Sequence, residues 1–266
     1  MKLFFNFLRR IYVYRSIIMT MAIREIQSRY VGTLAGFVWF VINPLMIILV
    51  FWFVFSVGFK VQPFGNIPFI LVFVCGLIPW TMFSETLMAN TNAITRNVHL
   101  VKKMVFPTEI LSIVNLVASL ISHVIMLGIL LSLLLFYKIS FSFYNVQFFY
   151  YFIALSIFTL GLSWFFSAVN VFYRDVGQIL GVILNMWFWL TPIVWLMDMV
   201  PKEYQYIIKL NPIYYIVEGY RFSFIYHVPF WVNYDLGIYF WGVSLLSLFM
   251  GGLIFRKLKP EFADVL

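Results

Sequence analysis

The chain has 266 residues and a net charge of +8, yet only 11% of it is charged, against 64% hydrophobic and 21% aromatic residues. A soluble domain carries about a quarter charged residues, so this composition excludes an ordinary globular enzyme. The basic excess does not read as a nucleic-acid patch, because Lys and Arg gather at the ends of apolar runs, where they orient a chain in a membrane.

The first fifteen residues have an apolar patch broken by Arg9, Arg10 and Arg15, with no small-residue cleavage site after it, so they do not read as a signal peptide. Next comes a segment whose helical projection puts Ile18, Met19, Ala22, Ile23, Ile26 and Tyr30 on one arc. Thr20, Arg24, Gln27 and Ser28 take the other, which predicts an amphipathic helix in the membrane interface. Long runs with little or no charge follow. A bilayer core about 30 Å thick needs about 20 apolar residues per helix, because every backbone polar group must be satisfied within the segment. Six spans are expected, near 33–58, 67–92, 109–136, 148–172, 176–197 and 235–255. The fold class is therefore an all-α membrane protein with six transmembrane helices.

With the N-terminus in the cytoplasm, thirteen of the eighteen Lys and Arg residues fall inside, so the positive-inside rule predicts N-in and C-in. The chain reads as one transmembrane domain. Residues 1–32 form the interface helix, 33–197 the first five spans, 198–234 an outer element, 235–255 the last span and 256–266 a cytoplasmic tail. Within 198–234 aromatics, charges and Pro interleave. Asn211-Pro212 fits an N-cap followed by Pro at the first helical position. Two helices near 202–210 and 212–226 are too short to cross, and are expected to dip in from the outer face beside a polar path.

Catalytic signatures are missing. No GxxxxGK[ST] phosphate loop is present. His99, His123 and His227 belong to no metal-ligand motif, and Cys75 stands alone, so neither a metal nor a cofactor is expected in this chain. Glu85 is an intramembrane carboxylate, costly and usually functional. Among 9 Trp, 16 Tyr and 32 Phe, some would suit a sugar-conducting path, since apolar sugar faces stack on aromatic rings.

Several runs are together similar to a known family. The stretch Ala22-Ile23-Arg24-Glu25-Ile26-Gln27-Ser28-Arg29-Tyr30, with Gly32 to Trp39 and Asn43-Pro44-Leu45, resembles the start of type-2 permeases of bacterial ATP-binding-cassette polysaccharide exporters. Lys102-Lys103-Met104-Val105-Phe106-Pro107-Thr108-Glu109 resembles their loop between the second and third spans. Tyr173-Arg174-Asp175-Val176, Thr191-Pro192-Ile193, Asn211-Pro212-Ile213-Tyr214-Tyr215 and Gly219-Tyr220-Arg221 follow in family order. The likeness is nearest to O-antigen exporters. It implies a homodimer in the bacterial inner membrane, bound to two separate ATPase subunits that carry ATP and Mg. The cargo would be an undecaprenyl-linked polysaccharide, with membrane lipids around the protein and no nucleic acid.

On this resemblance the contacts to the ATPase are expected at Arg24, Glu25, Arg29, Lys102, Lys103, Phe106, Pro107, Glu109, Arg174 and Asp175. Pro107 agrees physically, since it ends the preceding helix and suits the first turn of the next. The outer gate is expected at Asn211, Pro212, Tyr214, Tyr215, Glu218, Tyr220 and Arg221, with Glu218 and Arg221 beside the path. Candidate channel lining is Trp39, Glu85, Trp187 and Trp189. Three alternatives stay open: a teichoic-acid or capsular export permease, a membrane enzyme acting on lipid-linked sugars, and a proton-coupled flippase.

Overall fold

The computed structural model describes residues 9–28, 32, 36–61, 67–103 and 107–266, without the side chains of Phe37 and Lys103. The regular structure among them is helical. The main elements are α1 (Arg15–Ser28), α2 (Trp39–Trp52), α3 (Phe69–Thr91), α4 (Ile110–Phe136), α5 (Phe148–Phe172), α6 (Asp175–Leu190), α7 (Lys202–Lys209), α8 (Pro212–Arg221) and α9 (Tyr234–Leu258). Two short turns, Ala93–Arg96 and Val98–Lys103, lead from α3 towards α4.

A helix that is apolar all round has no face to offer water and belongs inside. α3 is such a helix: every residue from 69 to 80 is buried, within a cage of α4, α5, α6 and α8. α2 is equally apolar but peripheral, burying only Phe40 and Ile48, and continues into a π-turn at Phe53–Gly58. α5 and α9 lie side by side over much of their length. Two glycines permit this, since a Cβ on Gly251 would run into the Gly161 carbonyl, and one on Gly161 would reach 2.5 Å from the Leu248 nitrogen. Backbone approach through small residues is how membrane helices gain contact when lipid is as apolar as Leu.

Among the described residues, five helices have the length and apolarity to cross a bilayer: Trp39–Gly58, α3, α4, Phe143–Phe172 and Phe230–Val265. The fifth expected span differs. α6 holds 16 residues, about 24 Å at 1.5 Å per residue, short of a core about 30 Å thick. Its end follows from Pro192, which has no N–H and turns the preceding Thr191 to an extended φ of −90° and ψ of 134°. Beyond it the chain turns and packs back through Ile193, Val194 and Leu196, all buried.

The two short helices expected after it also differ from each other. α7 buries no residue and lies on the surface, whereas α8 is buried on nearly every side and extends through a π-turn, Phe222–Tyr226, to His227 in the left-handed region. α1 also departs from the expected arc. Only Ile18, Ala22 and Ile26 are buried, against Ile110, Ile113, Val114 and Ala118 of α4, while Met19 and Ile23 stay exposed and Tyr30 lies outside the described residues.

Candidate functional site

The face of the bundle between α3 and α6 is where polar chemistry reaches the surface. The buried run of α3 opens at Thr81, and Ser84, Glu85, Met88 and Ala89 follow along one side. Opposite them α6 turns Leu180 and Leu184 into the core, and so presents Gln178, Gly181 and Asn185 outward at helical spacing. Ser84, Glu85, Met88 and Ala89 of α3, with Gly181, Leu184 and Asn185 of α6, Glu25 and Ser28 of α1, and Arg96, bound an open groove of about 630 Å³. Glu85 is exposed there. It lies six residues from the end of α3, about 9 Å along the axis, within the membrane-length part of the helix.

The groove offers carboxylates, a guanidinium, an amide and hydroxyls around its lining. Among the described residues no group of three or more His, Cys, Asp and Glu is placed to hold a metal. What the lining can do is exchange hydrogen bonds with a polar passenger or with water.

Arg221 behaves in the opposite way. It is wholly buried, and its guanidinium is used on every nitrogen. Nη1 donates to Glu218 Oε1 at 2.6 Å, Nη2 to the carbonyls of Pro192 (2.7 Å) and Ile193 (3.2 Å), and Nε to the Val72 carbonyl at 3.3 Å. The break after α6 leaves carbonyls without helical donors, and an unsatisfied group at that depth costs several kcal/mol. Arg221 supplies the donors and ties α8 to α3 and to the break. Asn211 holds the other end of α8. Its Oδ1 accepts from the Ile213 backbone N–H (3.0 Å), capping α8, and from Trp187 Nε1 (2.8 Å), while Nδ2 donates to Thr191 Oγ1 (2.8 Å).

At the opposite end of the bundle Glu109, just before α4, receives Arg10 Nη1 and Lys259 Nζ, each at 2.5 Å. Burial alone would raise this carboxyl. The hydrogen bond from Lys259, its own backbone N–H, and the Lys259 and Arg10 charges hold it below the ordinary 4.5 instead. The segments near the two chain ends therefore meet on one carboxylate. Beneath them, asparagines join four helices. Asn115 Nδ2 donates to Asn90 Oδ1 and Asn90 Nδ2 to Ser163 Oγ, both at 2.9 Å. Asn170 donates to the Thr91 carbonyl and accepts from the Gly177 N–H, both at 3.0 Å.

The expected coupling residues are thus scattered over this basic end rather than gathered. Arg24, Lys102, Arg174 and Asp175 are exposed, Glu25 borders the groove, and Pro107 is buried. Lys103 ends the turn Val98–Lys103, and Arg29 and Phe106 lie outside the described residues. Glu109 is engaged within the chain. Of the expected gate residues, Pro212 opens α8, and Tyr214, Tyr215, Tyr220 and Arg221 are buried against neighbouring helices of the same chain, Tyr220 sharing its hydroxyl with His123 Nε2 at 3.1 Å. Glu218 is partly exposed. Of the expected lining, Glu85 reaches the groove. Trp187 is held by Asn211, Trp189 is exposed near the end of α6, and Trp39 is exposed on α2. Arg10, Lys259, Asn185 and the three network asparagines carried no motif. Their one sequence signal was an amide or charge inside or beside an apolar run.

Comparison with known proteins adds a relationship. The family described as "ABC-2 type transporter" matches residues 17–225. The chain is 30% identical over 259 residues to the O-antigen export system permease protein RfbA of Myxococcus xanthus, covering 96% of this chain and 97% of that protein. It is 29% identical over 247 residues to an RfbA of Klebsiella pneumoniae, covering 91% and 92%.

Proposed function

This chain belongs to the ABC-2 type transporter membrane family as a multi-pass inner-membrane transport subunit, and we propose that it exports lipid-linked polysaccharide of the O-antigen type, working as a homodimer with two separate ATPase subunits that bind ATP and Mg. The relatives' printed role in O-antigen export supports the cargo. The observation that carries the reading is the groove at Glu85. A carboxyl group exposed within a membrane-length helix is costly against lipid, so the face bearing Glu85, Ser84 and Asn185 faces water or a polar passenger. A polysaccharide is such a passenger, rich in hydroxyls that carboxylates and amides bind. The meeting of Arg10, Glu109 and Lys259 supports a topology with both chain ends in the cytoplasm, where the exposed Arg24, Lys102 and Arg174 are available to an ATPase.

The test is deletion of the chain followed by complementation. Loss of surface polysaccharide with accumulation of its lipid-linked precursor in the cytoplasmic leaflet is expected, restored by the wild-type chain and not by Glu85→Lys. The purified chain should be inert towards ATP and gain hydrolysis only when its ATPase partner is added. Accumulation of a teichoic-acid or capsular precursor would reassign the cargo, and ATP hydrolysis by the chain alone would overturn the reading.

A further inference from the structure

The connection between α4 and α5 carries an aromatic surface that export along the Glu85 groove does not use. Phe136 is 77% exposed, Phe141 53%, Phe143 88% and Phe149 56%; no large apolar side chain among the described residues is more exposed than Phe143. The connection is held in shape rather than loose. The Ser142 N–H donates to Asn145 Oδ1 at 2.6 Å, and the Asn145 N–H returns to the Ser142 carbonyl at 2.9 Å. Gln147 then ties the turn Phe143–Gln147 to the connection before α9, donating to the Val228 carbonyl (2.7 Å) and accepting from the Phe230 N–H (3.0 Å). That second connection exposes Trp231, and α9 opens on the exposed Tyr234, so together they make one braced aromatic surface.

We propose that this surface is a lipid-binding anchor, seated at the boundary between phospholipid headgroups and acyl chains at the end of the bundle away from Glu109. Three observations favour a bilayer over a glycan, and a second copy of the chain is an outcome the experiment distinguishes. Phe136 ends α4 and Phe149 stands in the first turn of α5, so the patch begins where two membrane-length helices stop, at the height of the interface. Four Phe rings have no polar atom with which to bind sugar hydroxyls, whereas Tyr144, Trp231 and Tyr234 add the amphipathic rings that interfaces favour. Lys138, exposed beside Phe136 at a left-handed φ of 54°, supplies a cation for headgroup phosphate on a connection, 135–149, that contains no carboxylate, the exposed Asp235 lying next to Tyr234 at the start of α9. The anchor would fix the depth and tilt of α4 and α5, whatever the cargo.

The experiment uses the full chain with its ATPase partner in phospholipid nanodiscs, and Phe143→Cys carrying an environment-sensitive fluorophore. Native Cys75 is fully buried and does not compete for label. A label at Asp264→Cys, on the exposed tail, serves as the water-facing reference. The expected result is quenching of the Phe143 label by phospholipid with a nitroxide high on its acyl chain, and iodide quenching at least threefold weaker than at the reference. Iodide quenching equal to the reference overturns the proposal by placing the turn in water. Protection from both quenchers overturns it by placing protein over the patch. Should Phe143→Cys not accumulate, Tyr144→Cys on the same turn carries the same readout.

Discussion

Glu85 and Arg221 are charges set among apolar helices, and the protein treats them in opposite ways. Arg221 is withdrawn from solvent and saturated by a carboxylate and three carbonyls contributed by α8, the break after α6, and α3. Glu85 stands at the surface of a groove whose opposite wall carries the Asn185 amide, with the Ser84 hydroxyl beside it on the same helix. A buried charge with every guanidinium nitrogen engaged holds architecture. A charge exposed on the face of a spanning helix, at the edge of a groove, is placed to meet water or a passenger. This separates them better than their shared rarity does, since intramembrane charge alone marks both as functional.

The largest expected effect is on the buried side of this comparison. Arg221→Ala leaves carbonyls and Glu218 without their donor, and should destabilise the chain by about 3–5 kcal/mol, seen as loss of folded protein in detergent thermal-unfolding assays. If the variant folds like wild type and only export fails, Arg221 belongs with Glu85 and the contrast collapses. Gly251→Val comes next. The added atoms meet the Gly161 carbonyl, and overpacking of about 1–3 kcal/mol should appear in the same assay without any change at the groove. Asn115→Ala should be milder, about 0.6–1.7 kcal/mol for one interhelical hydrogen bond in a membrane.

Smaller still is the pH response at Glu109. Its folded value lies below the ordinary 4.5, so its contribution is fully present above 4.5 and is lost only as pH falls through the lower folded value. Thermal stability from this cluster should hold from pH 8 to 5 and decline on the acid side, and Glu109→Gln should flatten that decline. The smallest stability change belongs to Glu85→Gln. It should move unfolding by no more than about 0.5 kcal/mol while reducing export, because Glu85 is exposed and the change keeps its size and polarity.

The contrast also explains what was legible in the sequence. Span length and the Asn211-Pro212 cap are local properties, and α3, α4, α5, α9 and the start of α8 appear close to where charge-free runs and cap chemistry put them. The shortness of α6 was equally local, written in Pro192, but the apolar run continuing to Leu196 hid it. Burial is not local. A gate at α8 is read from a helix too short to cross and from the likeness of Asn211–Tyr215 and Gly219–Arg221 to the family. Only the carbonyls of Pro192, Ile193 and Val72, distant in sequence, turn Arg221 inward. Likewise nothing near Glu109 foretells Arg10 and Lys259, about a hundred and a hundred and fifty residues away. Glu85 was singled out for its cost, and a groove around it required α6 and α1 to be in place.

The central claim, that the Glu85 face meets water or cargo rather than lipid, is tested most directly by thiol accessibility in the assembled exporter. Glu85→Cys, with Cys75 buried and inert, should react with a charged, membrane-impermeant methanethiosulfonate reagent, and that modification should block export. Ser119→Cys, buried in α4, should not react. If the cysteine at 85 stays inert to the charged reagent in every state of the ATP cycle, and a label there is quenched by nitroxide lipid, the face is a lipid contact and the polar path lies elsewhere.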